Sequence, residues 1–554
     1  MHMNTTLTAS PAVPHPRSIP VRTHPGFTSA DLEALLDRYG YPEETREIIA
    51  SEKLLPLGLL SRLQATYPQH SGLREQRPFL FEGEGQYTGL AGFRQIVGIL
   101  AAHGIVLGSI PERELFVQVY RFKASRHILN TINWDNYEND PMYQLVFPQP
   151  RMMRPDVTAR YLAARDEAER KQVIAAYMAE TNPHDGKQLL NKPWLESATG
   201  EIQVLEGSQH KYPQCQLIFD QTTQNCFAFC TYCFRHAQLR ADHDMFIQAD
   251  IAQVHAYLRQ HKEVTDLLIT GGDAGYLPVQ RLRQYVMPLL EDPELLHLRA
   301  VRLGSRLLTY QPEFILSRRY DAMLELFATM RDNGVQINWM AHFSTPRELL
   351  NPSTLAAIRR LQNHGVIVRS QSPVMNHISL FTAADGRVDV PRTAQNWIDL
   401  AHVLATLSVR FHSMYCARYT GEHHYFAAPL ADLEQVFNLV YRSLASLHRP
   451  SRYITMTTSA GKLSLLGTAE VNGETVFALK FNESRNMAWM DKVFLARYDA
   501  REKRIDQLAP FGAPEFFFEP ELREIERALA EMHQRIFGNR ASQDRPVEGY
   551  GIEA

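Results

Sequence analysis

The 554-residue chain holds only five cysteines, an odd number, with no spacing that would build a disulfide framework. It holds no apolar run near the ~20 residues that cross a bilayer. Its first residues lack the apolar stretch of a secretory signal. Neither sign of charge dominates: 58 basic against 61 acidic residues leave a net charge of −3, with no basic block. These absences argue against a disulfide-stapled scaffold, a membrane-spanning protein, and an electrostatic binder of nucleic acid or anionic membrane. What remains, 45% hydrophobic and 21% charged residues, is the composition of a soluble globular protein. A cytoplasmic enzyme of two or three structural units is expected.

Three of the five cysteines fall within eight residues, in Asn225-Cys-Phe-Ala-Phe-Cys-Thr-Tyr-Cys-Phe-Arg235. The spacing C-x3-C-x2-C follows an apolar run, Gln216-Leu-Ile-Phe-Asp220, that reads as a strand. Three thiolates on one loop can hold three irons of a [4Fe–4S] cube and leave the fourth without a protein ligand, whereas electron-transfer clusters use four cysteines. An open iron can bind and reduce a small molecule. Two other readings stay open. His236 follows Cys233 at zinc-ligand spacing, although structural zinc sites more often staple two separated ligand pairs. Three buried structural thiols are the remaining reading.

Residues 1–25, with Pro11, Pro14, Pro16 and Pro20, read as a disordered lead. Residues 26–205 are mainly helical in pattern, including one stretch over 156–180. They suggest a cap or an oligomerisation unit, and a homo-oligomer is expected. Over 206–465, apolar β-runs at 216–221, 266–270, 299–303, 335–340, 366–370 and 409–415 alternate with helical segments such as 320–331 and 354–363. That alternation predicts an α/β fold of parallel strands with right-handed crossovers. Residues 466–554 are mixed, with strands at 475–480 and 492–497 and a helix over 519–537. In parallel α/β folds chemistry gathers at the carboxyl ends of strands. The cysteine loop follows the first strand, Gly271-Gly272-Asp273 the second, Gly304-Ser305-Arg306 the third, and His342 the fourth. Ser370-Gln371-Ser372 follows the fifth and Cys416-Ala417-Arg418 the sixth, so all six groups share one rim.

The cysteine loop resembles the signature of the radical SAM superfamily. Ile269-Thr-Gly-Gly-Asp273, Arg302-Leu-Gly-Ser-Arg306, Ala341-His-Phe-Ser-Thr-Pro346, His210-Lys-Tyr-Pro213, Asp140-Pro-Met-Tyr-Gln-Leu-Val-Phe-Pro148 and Ser459-Ala-Gly-Lys462 are similar to segments of its lysine 2,3-aminomutase branch, over about residues 130 to 470. The resemblance implies an open (β/α)6 barrel with an N-terminal helical region and a small mixed C-terminal region. It implies a [4Fe–4S] cluster on Cys226, Cys230 and Cys233, and S-adenosylmethionine (SAM) at the open iron. Gly271, Gly272 and Asp273 would meet the methionine portion; Tyr232, Ser305, Arg306 and His342 would complete the cofactor site. A flavodoxin- or ferredoxin-type one-electron reductant is implied as partner. Lys462 would carry pyridoxal phosphate (PLP), with Lys211, Ser370, Gln371 and Ser372 as phosphate contacts. Arg235 would bind the carboxylate of an amino acid substrate through paired hydrogen bonds.

The departures bear on substrate. Ser-Ala-Gly-Lys462 stands for the branch's GGGGK, and Cys215 stands where relatives carry a phosphate-binding arginine. No cysteine follows Cys416, so the C-terminal zinc site of the lysine enzymes is not carried over. Lysine-specific members set two aspartates against the distal ammonium; here those positions are Ala417 and Thr455. A buried ammonium without a partner is costly, so L-lysine does not suit this pocket. Arg418 could instead pair with an acidic side chain; otherwise the pocket suits a neutral one. The reading is a radical SAM, PLP-dependent amino acid 2,3-aminomutase-like enzyme. Another radical outcome on the same scaffold, such as epimerisation or elimination, and a non-catalytic metal-stabilised binding protein are the alternatives.

Overall fold

The computed structural model describes residues 29–56, 58–70, 79–82, 85–181, 190–197, 199–236, 246–419 and 421–537. The lead at 1–25 lies outside the described residues. Among those described, no helix is long and apolar enough to cross a membrane.

An eleven-stranded sheet organises the chain, its strands following one another in sequence order: β1 Ser208–Tyr212, β2 Cys215–Phe219, β3 Asp266–Thr270, β4 Ala300–Gly304, β5 Gln336–Ala341, β6 Ile367–Pro373, β7 Arg410–Tyr415, β8 Ile454–Thr457, β9 Gly461–Val471, β10 Glu474–Ser484 and β11 Val493–Arg497. β2 through β8 run parallel. β1 is antiparallel to β2 at one edge, and β8 to β11 are antiparallel at the other. The sheet is therefore mixed. Helices Ile251–Gln260, Val279–Val286, Asp321–Asp332, Pro352–Asn363, Val390–Thr406 and Leu430–Ser443 lie in the connections between successive parallel strands. Parallel neighbours need such long crossovers, because a hairpin can only reverse direction.

The two ends of the strand order approach each other through side chains. Lys211 Nζ on β1 donates to the Thr458 carbonyl after β8. Lys462 on β9 sits 4.9 Å over the Tyr212 ring. Gln214 Nε2 lies 2.8 Å from Met487 Sδ. A division of the chain at residue 465 falls inside β9, which continues the sheet without a break.

The residues before β1 form helices and two small ribbons, Gln86–Thr88 against Lys123–Ser125 and Trp194–Glu196 against Ile202–Val204. The helical stretch expected over 156–180 is broken into Pro155–Ala163 and Glu167–Glu180. Asp166 causes the break: its carboxylate accepts the Glu169 N–H at 2.9 Å and caps the second helix. One hydrophobic cluster runs from Leu35 to Leu522, so these helices share the core of the sheet.

A buried carboxyl ties the N-terminal helices to the loop after β7. Glu422, 1% exposed, accepts the hydroxyls of Tyr120 at 2.9 Å and Tyr177 at 2.7 Å. Burial pushes its carboxyl up from 4.5 to about 7. A raised carboxyl favours the fold while protonated, so this contribution is complete below pH 4.5 and is lost as pH rises through 7. The difference is about 3 kcal/mol. Glu422→Gln is expected to melt at a higher temperature than wild type at pH 8, and to show a smaller fall in melting temperature between pH 5 and pH 8. Parallel pH profiles for the two proteins would contradict this.

Candidate active site

The cysteine loop is held on both sides. Asp220, closing β2, is fully buried and accepts Arg281 Nε at 2.7 Å and the Tyr285 hydroxyl at 2.8 Å. The loop itself is gripped by N-terminal backbone. Phe229 N donates to the Lys123 carbonyl at 2.9 Å, and Thr231 donates N–H and hydroxyl to the Leu145 and Gln144 carbonyls at 2.9 and 2.7 Å. Lys123 Nζ reaches Asn225 Oδ1 at 3.3 Å and the Tyr276 hydroxyl at 2.9 Å. The helical region, to which sequence alone assigns no chemistry, thus positions the thiols.

Cys226, Cys230 and Cys233 are all half-buried. Burial first, then the charges of Asp273 and the other two cysteines, raise the Cys226 thiol. A single zinc would draw its ligands to about 3.8 Å from one another. Among the described residues the one group of three or more ligand atoms within 4.8 Å of each other is His210, His261 and Glu263, not the cysteines with His236. His236 instead lies edge-on to Tyr120 at 4.8 Å.

Gly271 and Gly272 turn beneath this loop. Gly271 has φ +147°, and a Cβ there would collide with the Thr223 side chain and backbone. Gly272 N and Asp273 N both donate to the Thr223 carbonyl, at 2.7 and 3.1 Å. Asp273, 1% exposed, accepts Gly275 N at 2.7 Å and Arg306 N at 2.9 Å, with a further bond from Ser305. Burial outweighs those bonds and pushes its carboxyl up to about 6. Arg306 Nη2 donates to the Tyr232 hydroxyl at 2.8 Å. His342, half-buried, is held down to about 3 by burial and then by the charges of Arg306 and Arg235, so its imidazole is neutral. Ends of β2, β3, β4 and β5 therefore meet at one place.

Arg235 and Arg418 share one aromatic ring: their guanidinium carbons lie 5.1 and 4.5 Å from the Phe234 centroid. Burial, and then Arg418, hold the Arg235 guanidinium down to about 9. Among the described residues no carboxylate forms an ion pair with Arg235. Arg418 Nη2 lies 3.3 Å from Thr457 Oγ1, and Thr457 is the register partner of Lys462 across β8 and β9. Lys462 Nζ is 2.6 Å from Glu483, whose other oxygen takes Arg452 at 2.9 Å. Burial works against the Glu483 carboxylate, but Lys462 and Arg452 together hold it down at about 2.

No protein-family model matches the chain. It is 25% identical, over 360 residues, to a protein of Aquifex aeolicus provisionally named an L-lysine 2,3-aminomutase; the match covers 65% of this chain and 81% of that protein. It is 31% identical over 169 residues to the glutamate 2,3-aminomutase of Clostridioides difficile, 30% of this chain and 37% of the relative. It is 28% identical over 173 residues to the L-lysine 2,3-aminomutase of Clostridium subterminale, 31% and 38% of the two chains. The chain is a homologue of the 2,3-aminomutases. A solved radical SAM methyltransferase from Sphaerobacter thermophilus is similar over 66% of this chain and 92% of that one, at a TM-score of 0.27 and 14% identity, too loose a fit to bear on the fold.

Ser370 and Ser372 are fully buried and hydrogen-bond each other at 2.8 Å, on the face of β6 opposite the half-buried Arg369 and Gln371. Strand alternation separates them from Gln371, which keeps the accessible face. Lys211 is engaged with Thr458. Cys215 is occupied by Arg302 Nη2 at 2.8 Å. Thr455 is fully buried in a polar row, with Ser464 Oγ at 3.1 Å and Asn482 Nδ2 at 3.0 Å. Ala417 is buried beside Arg418. Sequence reading missed Glu348 and Tyr310, which join Arg306 behind the cysteines. They sit 42 and four residues from it, and no local spacing marks them.

Proposed function

We propose that the protein is a radical SAM isomerase that moves the amino group of an α-amino acid from Cα to Cβ, with an acidic side chain favoured over lysine. The supporting observation is the convergence of three half-buried thiols with Asp273, Arg306 and His342 at the strand ends. In this reading β2 to β7 and their helices are the open (β/α)6 core.

The residues present fit the implied groups. Three thiols on one loop leave one iron of a cube open, and Gly271, which Thr223 packs against too closely for any side chain, sets the turn that carries Asp273. Lys462 has small neighbours on one side, the Tyr212 ring on the other and a carboxylate at its amine. When bound, the cluster and SAM supply a radical able to remove a substrate hydrogen, and PLP supplies delocalisation that lets nitrogen migrate. The chain's own residues bind and orient. Arg235 takes the α-carboxylate, and Arg418, behind the same Phe234 ring, takes a second carboxylate. Asp273 meets the SAM ammonium. Glu483 holds the Lys462 amine in an ion pair that must open before the amine can react.

The test is a screen of amino acids for 5′-deoxyadenosine release and β-amino acid formation. L-Lysine lacks both of the charge partners its ammonium would need, a penalty of roughly 3–5 kcal/mol, or several hundred- to several thousand-fold in rate. Glutamate and aspartate should turn over better, and Arg418→Ala should selectively impair them. Efficient turnover of L-lysine would overturn this reading of the pocket.

A further inference from the structure

Behind the cysteine loop lies a buried chain of polar groups that the substrate reading does not use. Tyr310 ends the short helix Leu307–Tyr310 that follows Ser305 and Arg306, and it is 1% exposed. Its backbone carbonyl accepts the Ser125 hydroxyl, which fixes the helix end against the N-terminal ribbon. Its own hydroxyl lies 2.8 Å from Cys230 Sγ and 3.3 Å from Arg306 Nη1. The guanidinium is held from behind by Glu348 at 3.7 Å, which in turn accepts Thr309 Oγ1 at 2.8 Å and Ser344 N at 2.6 Å. The second Arg306 nitrogen is spent on Tyr232.

The donor inventory fixes the direction of this chain. A guanidinium only donates, so Tyr310 Oη accepts from Arg306 and has its single proton left for the sulfur. An iron-bound cysteine carries no proton, so between Tyr310 and Cys230 the hydroxyl must be the donor. A donor polarised by a cation makes a stronger bond than an isolated phenol. One-electron reduction of a cluster adds negative charge that its thiolates share, and hydrogen bonds to those sulfurs stabilise the reduced form.

We infer that Tyr310, polarised by Arg306, is a positioning residue that raises the reduction potential of the cluster through Cys230, easing its reduction by an external one-electron carrier. This rests on the cluster assignment above. The test uses the full-length, anaerobically reconstituted protein and its Tyr310→Phe variant. Each is poised at a series of potentials, and the reduced cluster is counted by electron paramagnetic resonance. At a given potential the reduced-to-oxidised ratio of the variant should fall about tenfold, equivalent to ~59 mV for one electron. Iron and sulfide content should be unchanged. An unchanged ratio with a full cluster overturns the inference. Loss of the cluster from the variant also overturns it, because Tyr310 would then hold the loop rather than tune it. Absence of iron and sulfide from the wild type would instead remove the cluster assignment itself, so the two failures are distinguishable.

Discussion

Cys226→Ala, Cys230→Ala and Cys233→Ala are each expected to lose the four-iron cluster and to release no measurable 5′-deoxyadenosine, a fall of at least about a thousandfold, while Cys215→Ala and Cys416→Ala keep both. The contrast follows from where the thiols lie: three share one loop and two do not. Metal ligation needs the thiolate. The three loop cysteines are half-buried, and Cys230 Sγ lies 2.8 Å from the Tyr310 hydroxyl. Cys416 is buried, and burial pushes its thiol up to about 12. Cys215 is pushed up to about 11 by burial, with its sulfur in contact with Arg302. Both lie off the cysteine loop, so neither takes the place of a missing ligand. Iron, acid-labile sulfide and zinc measured together decide the outcome. Stoichiometric zinc without sulfide in the wild type, or a full cluster in any one of the three variants, would refute the assignment.

The parallel strands β2 to β7 were legible because each is a short apolar run between helical segments; their bounds lie within three residues of those read from the pattern. β1 and β9 were not, for a physical reason. Ser208–Tyr212 and Gly461–Val471 carry serine, lysine, threonine and glycine, since they cover the edge and the antiparallel extension rather than the fully buried middle of the sheet. The Ser370-Gln371-Ser372 grouping shows the opposite case. Period-two alternation already implies that Ser370 and Ser372 share one face and Gln371 the other, and the structure follows that rule. The site's strand-end residues were visible as a series. The Glu348–Arg306–Tyr310–Cys230 chain was not, because its members meet only after β4, β5 and the cysteine loop converge.

Lys462 is expected to carry the pyridoxyl label when the PLP-loaded protein is reduced with borohydride, and Lys462→Ala to carry none and form no β-amino acid. The alternative lysine nearby, Lys211, already donates to the Thr458 carbonyl from the opposite edge of the sheet. Lys462 projects from β9 between the Tyr212 ring and Glu483, and its register partner Thr457 contacts Arg418, so the amine and the proposed substrate arginines adjoin. The Glu483 pairing has its own consequence. An ammonium paired at 2.6 Å is not a nucleophile, so the carboxylate must release the amine before a Schiff base can form. Glu483→Gln removes the carboxylate paired with the Lys462 amine. Labelling at neutral pH should therefore be faster in Glu483→Gln than in wild type. The label found by peptide mapping on Lys211 or elsewhere would displace Lys462 from this role. Slower labelling of Glu483→Gln at the wild-type position would instead mean that Glu483 acts as the proton acceptor rather than as a restraint.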